Sequence, residues 1–260
     1  MKNIFLITVL ILTSLNTLSQ EKGIVYYGHI ESKGLKAAIG PDFNAYLVFN
    51  NTASYYVTKN DSLDKGREFK TRYSSEDGMS VRSYLGQLTT QYGNQVYNNR
   101  KKDSIYWNQW IDFYVAEKTP KINWQLKNKT KQIGKFTVHE AVANYRGRSY
   151  TAWYALDIPL PYGPWKLQGL PGLILEAYDA DKEMYFYFKS IEYPTTNIAN
   201  ITQLKRPKDH PNTWHSLQGF KDRLDDIYEK MKINSILIAE KYNAEVPEQK
   251  IKSEAFIESF

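Results

Sequence analysis

YTAWYALDIPLPYGPWKLQGLPGLILEAYD, residues Tyr150 to Asp179, is the least interchangeable text in the chain and decides how the rest is read. It opens on a strand-like run around Trp153. Pro159, Pro161, Gly163 and Pro164 break that run, and Gly169, Pro171 and Gly172 make a second turn. Leu173, Ile174 and Leu175 then start a new apolar run. Proline removes a backbone donor and glycine opens left-handed conformations, so this punctuation spells strand, long shaped loop, strand.

Outward from there the pattern repeats. Phe136 to Asn144 and Ser149 to Leu156 predict a hairpin turning at Arg146-Gly147. Leu173 to Tyr178 and Glu183 to Tyr193 predict the next. Earlier, Gly23 to Glu31 reads as a strand and Ala45 to Thr58 as a hairpin turning at Asn50-Asn51. Strands also flank Asn98 to Lys102 and Thr119-Pro120, while Asn60 to Gly78 and Lys127 to Lys135 read as loops. Met79 to Tyr92 fits a short helix or a strand, with the spacing of Val81, Leu85 and Leu88 on the helical side. After Pro194, Trp214, Leu217, Phe220, Leu224, Ile227 and Met231 make one apolar stripe at helical spacing, capped by Asn212 or Thr213. Ser235 to Tyr242 is a second helix or a strand, and the charged tail from Pro247 reads as peripheral. The expectation is a mainly β, α+β domain over residues 20–260: a large curved antiparallel sheet, half-barrel or bowl-like, with a C-terminal helix on it.

Composition narrows the classes of function. The 21 tyrosines among 260 residues favour half-buried pleated surfaces and the walls of clefts. The net charge of +6 is spread along the chain, with no basic stripe of the kind nucleic-acid binding needs. There is no cysteine, which excludes disulfides, thiol catalysis and thiolate metal sites. Met1 to Ser19 has the plan of a cleaved signal peptide: Lys2, an apolar run from Ile4 to Leu12, and small residues at Thr17 and Ser19. Export to the periplasm or beyond is therefore expected, without N-terminal lipidation and without a membrane helix in the mature chain.

Gly169-Leu170-Pro171-Gly172-Leu173-Ile174, together with Gly147-Arg148-Ser149-Tyr150-Thr151-Ala152-Trp153-Tyr154, Ile158-Pro159 and Gly163-Pro164 in order, resembles the GLPGLI family. These are exported proteins of Bacteroidetes-type bacteria. The resemblance covers roughly residues 23 to 193 and, more weakly, the C-terminal part. Its hairpin-rich pattern is similar to the open barrel of lipoprotein carriers. It implies no particular reaction. Val138 stands about where the family often has a cysteine, so this chain carries no thiol role.

No motif for chemistry is complete. His29, His139, His210 and His215 lack metal-pair spacing, and no serine sits in a nucleophile elbow. No catalytic residue, metal or cofactor is expected. Asp157, Glu176, Asp179 and Asp181, with Glu140 nearby, are the acids a hydrolase would draw on; in water they are turn and strand-edge acids. Glu176 and Arg148 are candidates for a buried pair. Gly163, Pro164, Gly169, Pro171 and Gly172 set backbone geometry. Trp153, Tyr154, Trp165, Leu170, Tyr185 and Tyr187 are candidates for the wall of a ligand cleft. Three readings stand: a non-enzymatic module binding an apolar or peptide-like ligand in the curved sheet, an envelope protein binding a protein partner, and a hydrolase built on Glu140, Glu176 or Asp157.

Overall fold

The computed structural model describes residues 22–64, 68–73, 80–85, 88–109, 112–197, 201, 203–248 and 251–260. The expected signal segment, Met1 to Ser19, lies outside them. Eleven strands form one antiparallel sheet: β1 (Gly23–Glu31), β2 (Asp42–Phe49), β3 (Ala53–Thr58), β6 (Asn94–Asn99), β7 (Ser104–Gln109), β8 (Phe113–Lys118), β9 (Gln125–Ile133), β10 (Phe136–Tyr145), β11 (Arg148–Ala155), β12 (Leu173–Asp179) and β13 (Met184–Glu192). Their order is β8-β7-β6-β3-β2-β1-β13-β12-β11-β10-β9. A separate hairpin pairs β4 (Glu68–Tyr73) with β5 (Ser80–Leu85). The helices are α1 (Asp61–Asp64), α2 (Leu217–Lys241) and α3 (Lys252–Ala255).

The sheet has to roll. Its two edges, β8 and β9, are neighbours in the chain, joined by residues 119–124. Ten strand spacings of about 4.8 Å would hold them roughly 48 Å apart in a flat sheet. A six-residue link reaches roughly 25 Å at most. Side chains from opposite ends also meet: Arg146, in the β10–β11 turn, donates to Glu117 of β8 at 2.7 and 2.8 Å. No ladder joins β8 to β9, so the sheet is an open, rolled half-barrel.

The roll is filled by the chain itself. The β11–β12 connection turns inward, and Ile158, Leu160, Tyr162, Trp165, Lys166 and Leu167 are all buried. Tyr162 packs on Phe49 and Trp165 stacks near-parallel on Phe186, each with centroids 6.3 Å apart. Gln168 ties the same loop to the edge link, donating to the Pro120 carbonyl at 2.7 Å and accepting from the Trp124 indole at 2.8 Å. The signature glycines serve this insertion in different ways. Gly169 has φ +93° with open space around it, so it supplies a left-handed turn. A Cβ on Gly172 would stand 2.1 Å from the Ala155 carbonyl oxygen, so that position needs close backbone approach.

Several elements differ from the sequence reading. Lys127 to Lys135 is no loop: most of it lies in edge strand β9, where solvated lysines deter pairing with another chain. Ser80–Leu85 is strand, and part of Asn60 to Gly78 is strand β4. The strand expected after Thr119-Pro120 over Ile122 to Leu126 starts later, at Gln125, and runs on to Ile133 as β9. Ser235 to Tyr242 holds no second element, because α2 runs unbroken through to Lys241. Ser216 is the N-cap of α2, its hydroxyl accepting from the Gly219 amide at 3.1 Å. Phe220 and Leu224 carry the helix's contact with the core. The tail is not peripheral, since Ile257 and Glu258 are buried.

Candidate ligand-binding site

The residues proposed as a cleft wall fall into different layers. Trp165 and Leu170 belong to the inserted loop and are buried inside the roll. Trp153 and Tyr154 are buried on β11; the Lys131 ammonium sits 4.4 Å from the Trp153 ring centroid. Tyr185 and Tyr187 are half-buried, lie 5.6 Å apart between centroids, and continue an aromatic row to Tyr178. Tyr187 donates to Asp42 at 2.7 Å. Glu176 and Arg148 are each paired, but with different partners. Glu176 accepts from Lys131 at 2.8 Å, and Arg148 binds Asp179 and Glu183. Glu140 lies 3.8 Å from Lys129, and Asp157 is exposed at the start of the loop.

A site that sequence reading missed lies at the mouth of the roll, around the Arg146-Gly147-Arg148 turn. Arg146 and Gly147 both have positive φ, 52° and 78°, as a tight two-residue hairpin turn requires. The turn presents one guanidinium on each side of the glycine. Arg146 bridges Glu117 and Glu258, the latter at 3.0 Å. The Arg146 Nη1 to Glu258 Oε2 contact is an ion pair without hydrogen-bond alignment. Burial opposes the charge on Arg146, yet Glu258, Tyr145 and Glu117 outweigh it and raise its pKa. Glu258 also pairs with Lys166, whose ammonium lies 3.1 Å from the centroid of the Trp107 ring. Burial lowers the Lys166 pKa to about 8, against the pull of Glu258. The Trp107 indole donates to Glu117 at 2.7 Å, which closes the circuit.

Arg148 works on backbone. Its guanidinium donates to the carbonyls of Ile257 at 2.9 Å, Phe256 at 3.0 Å and Ser253, and to Asp179 and Glu183. The Ser259 amide donates to the Arg146 carbonyl at 3.0 Å. A Cβ on Gly147 would collide with Ser259, 2.0 Å from its hydroxyl oxygen. The mouth therefore holds Phe256 to Phe260, the stretch that leaves α3, as a site holds an extended peptide: carbonyls capped, an amide accepted, a carboxylate clamped. Beside this segment lies a pocket of about 210 Å³, lined by Lys33, Gln109, Phe220, Leu224 and Ile227. Deeper in, the space shared by Trp165, Lys166 and Ile257 with His29 and Glu31 is about 10 Å³, room for roughly one water.

His29 and Glu31 form a second buried polar group on β1. The Tyr56 hydroxyl is 3.1 Å from His29 Nδ1, and Glu31 is 3.3 Å from His29 Nε2. Lys59 reaches Glu31 at 2.7 Å and Lys33 at 3.9 Å. Burial drives the His29 pKa down to about 4. Burial alone would raise Glu31, but Lys59, His29 and Lys33 hold it at about 2. A further pocket of about 180 Å³ lies among Tyr97, Tyr106, Trp214, Asn99, Lys102 and Gln203. Among the described residues no cluster of His, Asp and Glu could hold a metal ion, and no helix is long and apolar enough to cross a membrane.

The profile of a family described as "Protein of unknown function (Porph_ging)" matches residues 145–176, the span from this turn through the inserted loop into β12. No curated protein matches the chain. Among solved structures it is similar to PNGF-II in a P21 crystal form, with 15% identity over 78% of this chain and 32% of that one and a TM-score of 0.48. It is also similar to PNGF-II in a C2 form, with 12% identity over 77% and 32% and a TM-score of 0.49. The chain thus spans about a third of the length of the solved chains it matches.

Proposed function

We infer that the chain is an exported cell-envelope protein of the GLPGLI type, acting without catalysis as a binding or carrier module. Its ligand is peptide-like or apolar and sits at the mouth of the rolled sheet. The observation that carries this reading is the Arg146-Gly147-Arg148 turn with Lys166. Together they hold an extended segment by its carbonyls, one amide and one carboxylate, next to a pocket of mixed polar and apolar lining against α2. The leader-like Met1 to Ser19 supports export. The acids a hydrolase would need are either exposed or paired with a cation, with Glu176 on Lys131, Asp179 on Arg148 and Glu140 near Lys129. Native mass spectrometry of protein taken gently from its own envelope tests the reading. A co-purified mass that leaves on denaturation is the expected result, and a bare polypeptide in every preparation counts against it. A protein-partner role is the second reading, favoured by Ile233, Ile236, Leu237 and Ile238, exposed on the distal half of α2. Edge pairing is the less suitable route for such a partner, because edge strand β9 is lined with lysine.

A further inference from the structure

We propose that residues 251–260 are a removable strap lying in a peptide site, and that the ligand of that site is an acidic peptide segment supplied by another protein. The ligand's pattern is an apolar residue followed by a carboxylate, a small residue and an aromatic, as in Ile257-Glu258-Ser259-Phe260. This deepens the binding reading above and rests on it.

Three observations carry the inference. First, recognition of the segment is mostly by groups any peptide with one acid could satisfy. Arg148 takes main-chain carbonyls, Arg146 offers its own carbonyl to an amide, and Lys166 with Arg146 takes a carboxylate. Without Glu258, the Lys166 ammonium and the Arg146 guanidinium would have Glu117 alone nearby, so the vacated site favours an anion. Second, the strap is thinly anchored by apolar burial. Ile257 is its one deeply buried apolar side chain; Phe256 is part-buried against the core, Phe260 is half-exposed and Ile251 is exposed. Buried ion pairs roughly break even against desolvation, so this clamp confers selectivity more than hold. Third, the strap hangs from an exposed connection. Residues 240–248 are all exposed, and α3 is a single turn held by Lys252 on Asp225 at 2.5 Å and by Arg148 on the Ser253 carbonyl. A tether of this length gives the strap a high effective concentration, which an outside peptide has to overcome.

The test uses the full chain carrying Glu258→Gln, which weakens the strap and leaves the cations in place. The probe is a fluorescein-labelled peptide of residues 251–260. Uptake by E258Q at least tenfold tighter than by the native chain is expected. At least tenfold weaker uptake is expected when the peptide's second glutamate is replaced by glutamine, and loss of uptake in the K166M/E258Q chain. E258Q with a native near-ultraviolet dichroism spectrum but no uptake at millimolar peptide overturns the proposal. If E258Q fails to fold, hydrogen exchange on the native chain decides. A Ser259 amide exchanging at least tenfold faster than the β11 amides supports a strap, and equal protection overturns it. A small mass in native spectrometry alongside a fixed strap would sink this proposal and leave the binding reading standing.

Discussion

Replacing Glu258 by glutamine isolates the value of the interior charge clamp. Lys166 has 1% and Glu258 3% of its side chain exposed, so neither meets bulk water. Removing one member of a buried pair typically costs about 3–5 kcal/mol, because the other charge stays desolvated. The structure says the same from the cation's side: burial moves the Lys166 pKa from 10.5 to about 8. At 1.36 kcal/mol per unit, that is an unfavourable balance of roughly 3 kcal/mol for the charged form even with Glu258 present. E258Q should therefore lose about 3–5 kcal/mol, or about 6–20 °C in Tm for a domain of this size. Adding Lys166→Met removes the stranded ammonium and places a thioether between Trp107, Trp165 and Phe220, so the double variant should regain at least about 2 kcal/mol. The pH dependence has a definite sign. With a folded pKa near 8 and an unfolded one of 10.5, the unfolded chain binds more protons between those values. The penalty is complete below pH 8 and fades as pH rises toward 10.5. Urea unfolding followed by tryptophan fluorescence at pH 7 and pH 10 measures all three quantities. A loss under about 1 kcal/mol for E258Q, or equal loss in the single and double variants, would refute a buried clamp.

The other expectations concern the second polar group and the signature loop. His29 has a folded pKa near 4 against 6.5 in the unfolded chain, so stability is lost as pH falls from about 6.5 to 4. The loss approaches about 3 kcal/mol, and His29→Asn should flatten that limb of an acid titration followed by circular dichroism. An unchanged limb would mean another group is responsible. Gly172→Ala should cost well over about 2 kcal/mol, because its Cβ would meet the Ala155 carbonyl at 2.1 Å. Gly169→Ala should cost only about 1 kcal/mol of left-handed strain, since nothing lies within 4 Å. Equal losses in thermal melts would show that the two glycines act alike.

Local chemistry made most of the architecture legible. The alternating and aromatic-rich runs around Trp153 and Met184 pair as the sequence predicts, and Arg146-Gly147 turns the hairpin between β10 and β11. These features depend on neighbours a few residues away, where period and turn chemistry act directly. Lysine-rich β9 escaped because propensity has little to say about an edge strand, whose ladder on β10 outweighs its polar composition. The direction of the signature loop was not legible either. Gly and Pro announce a shaped loop, but only the rolled sheet decides that Trp165 and Lys166 point into the core rather than rim a cleft. The mouth was the least legible of all. Glu117, Arg146, Lys166 and Glu258 are spread from position 117 to position 258 of the sequence, and no motif links them. They meet because the short link between β8 and β9 makes the sheet curl. Once it curls, charges from both ends and from the tail are buried together and must neutralise one another.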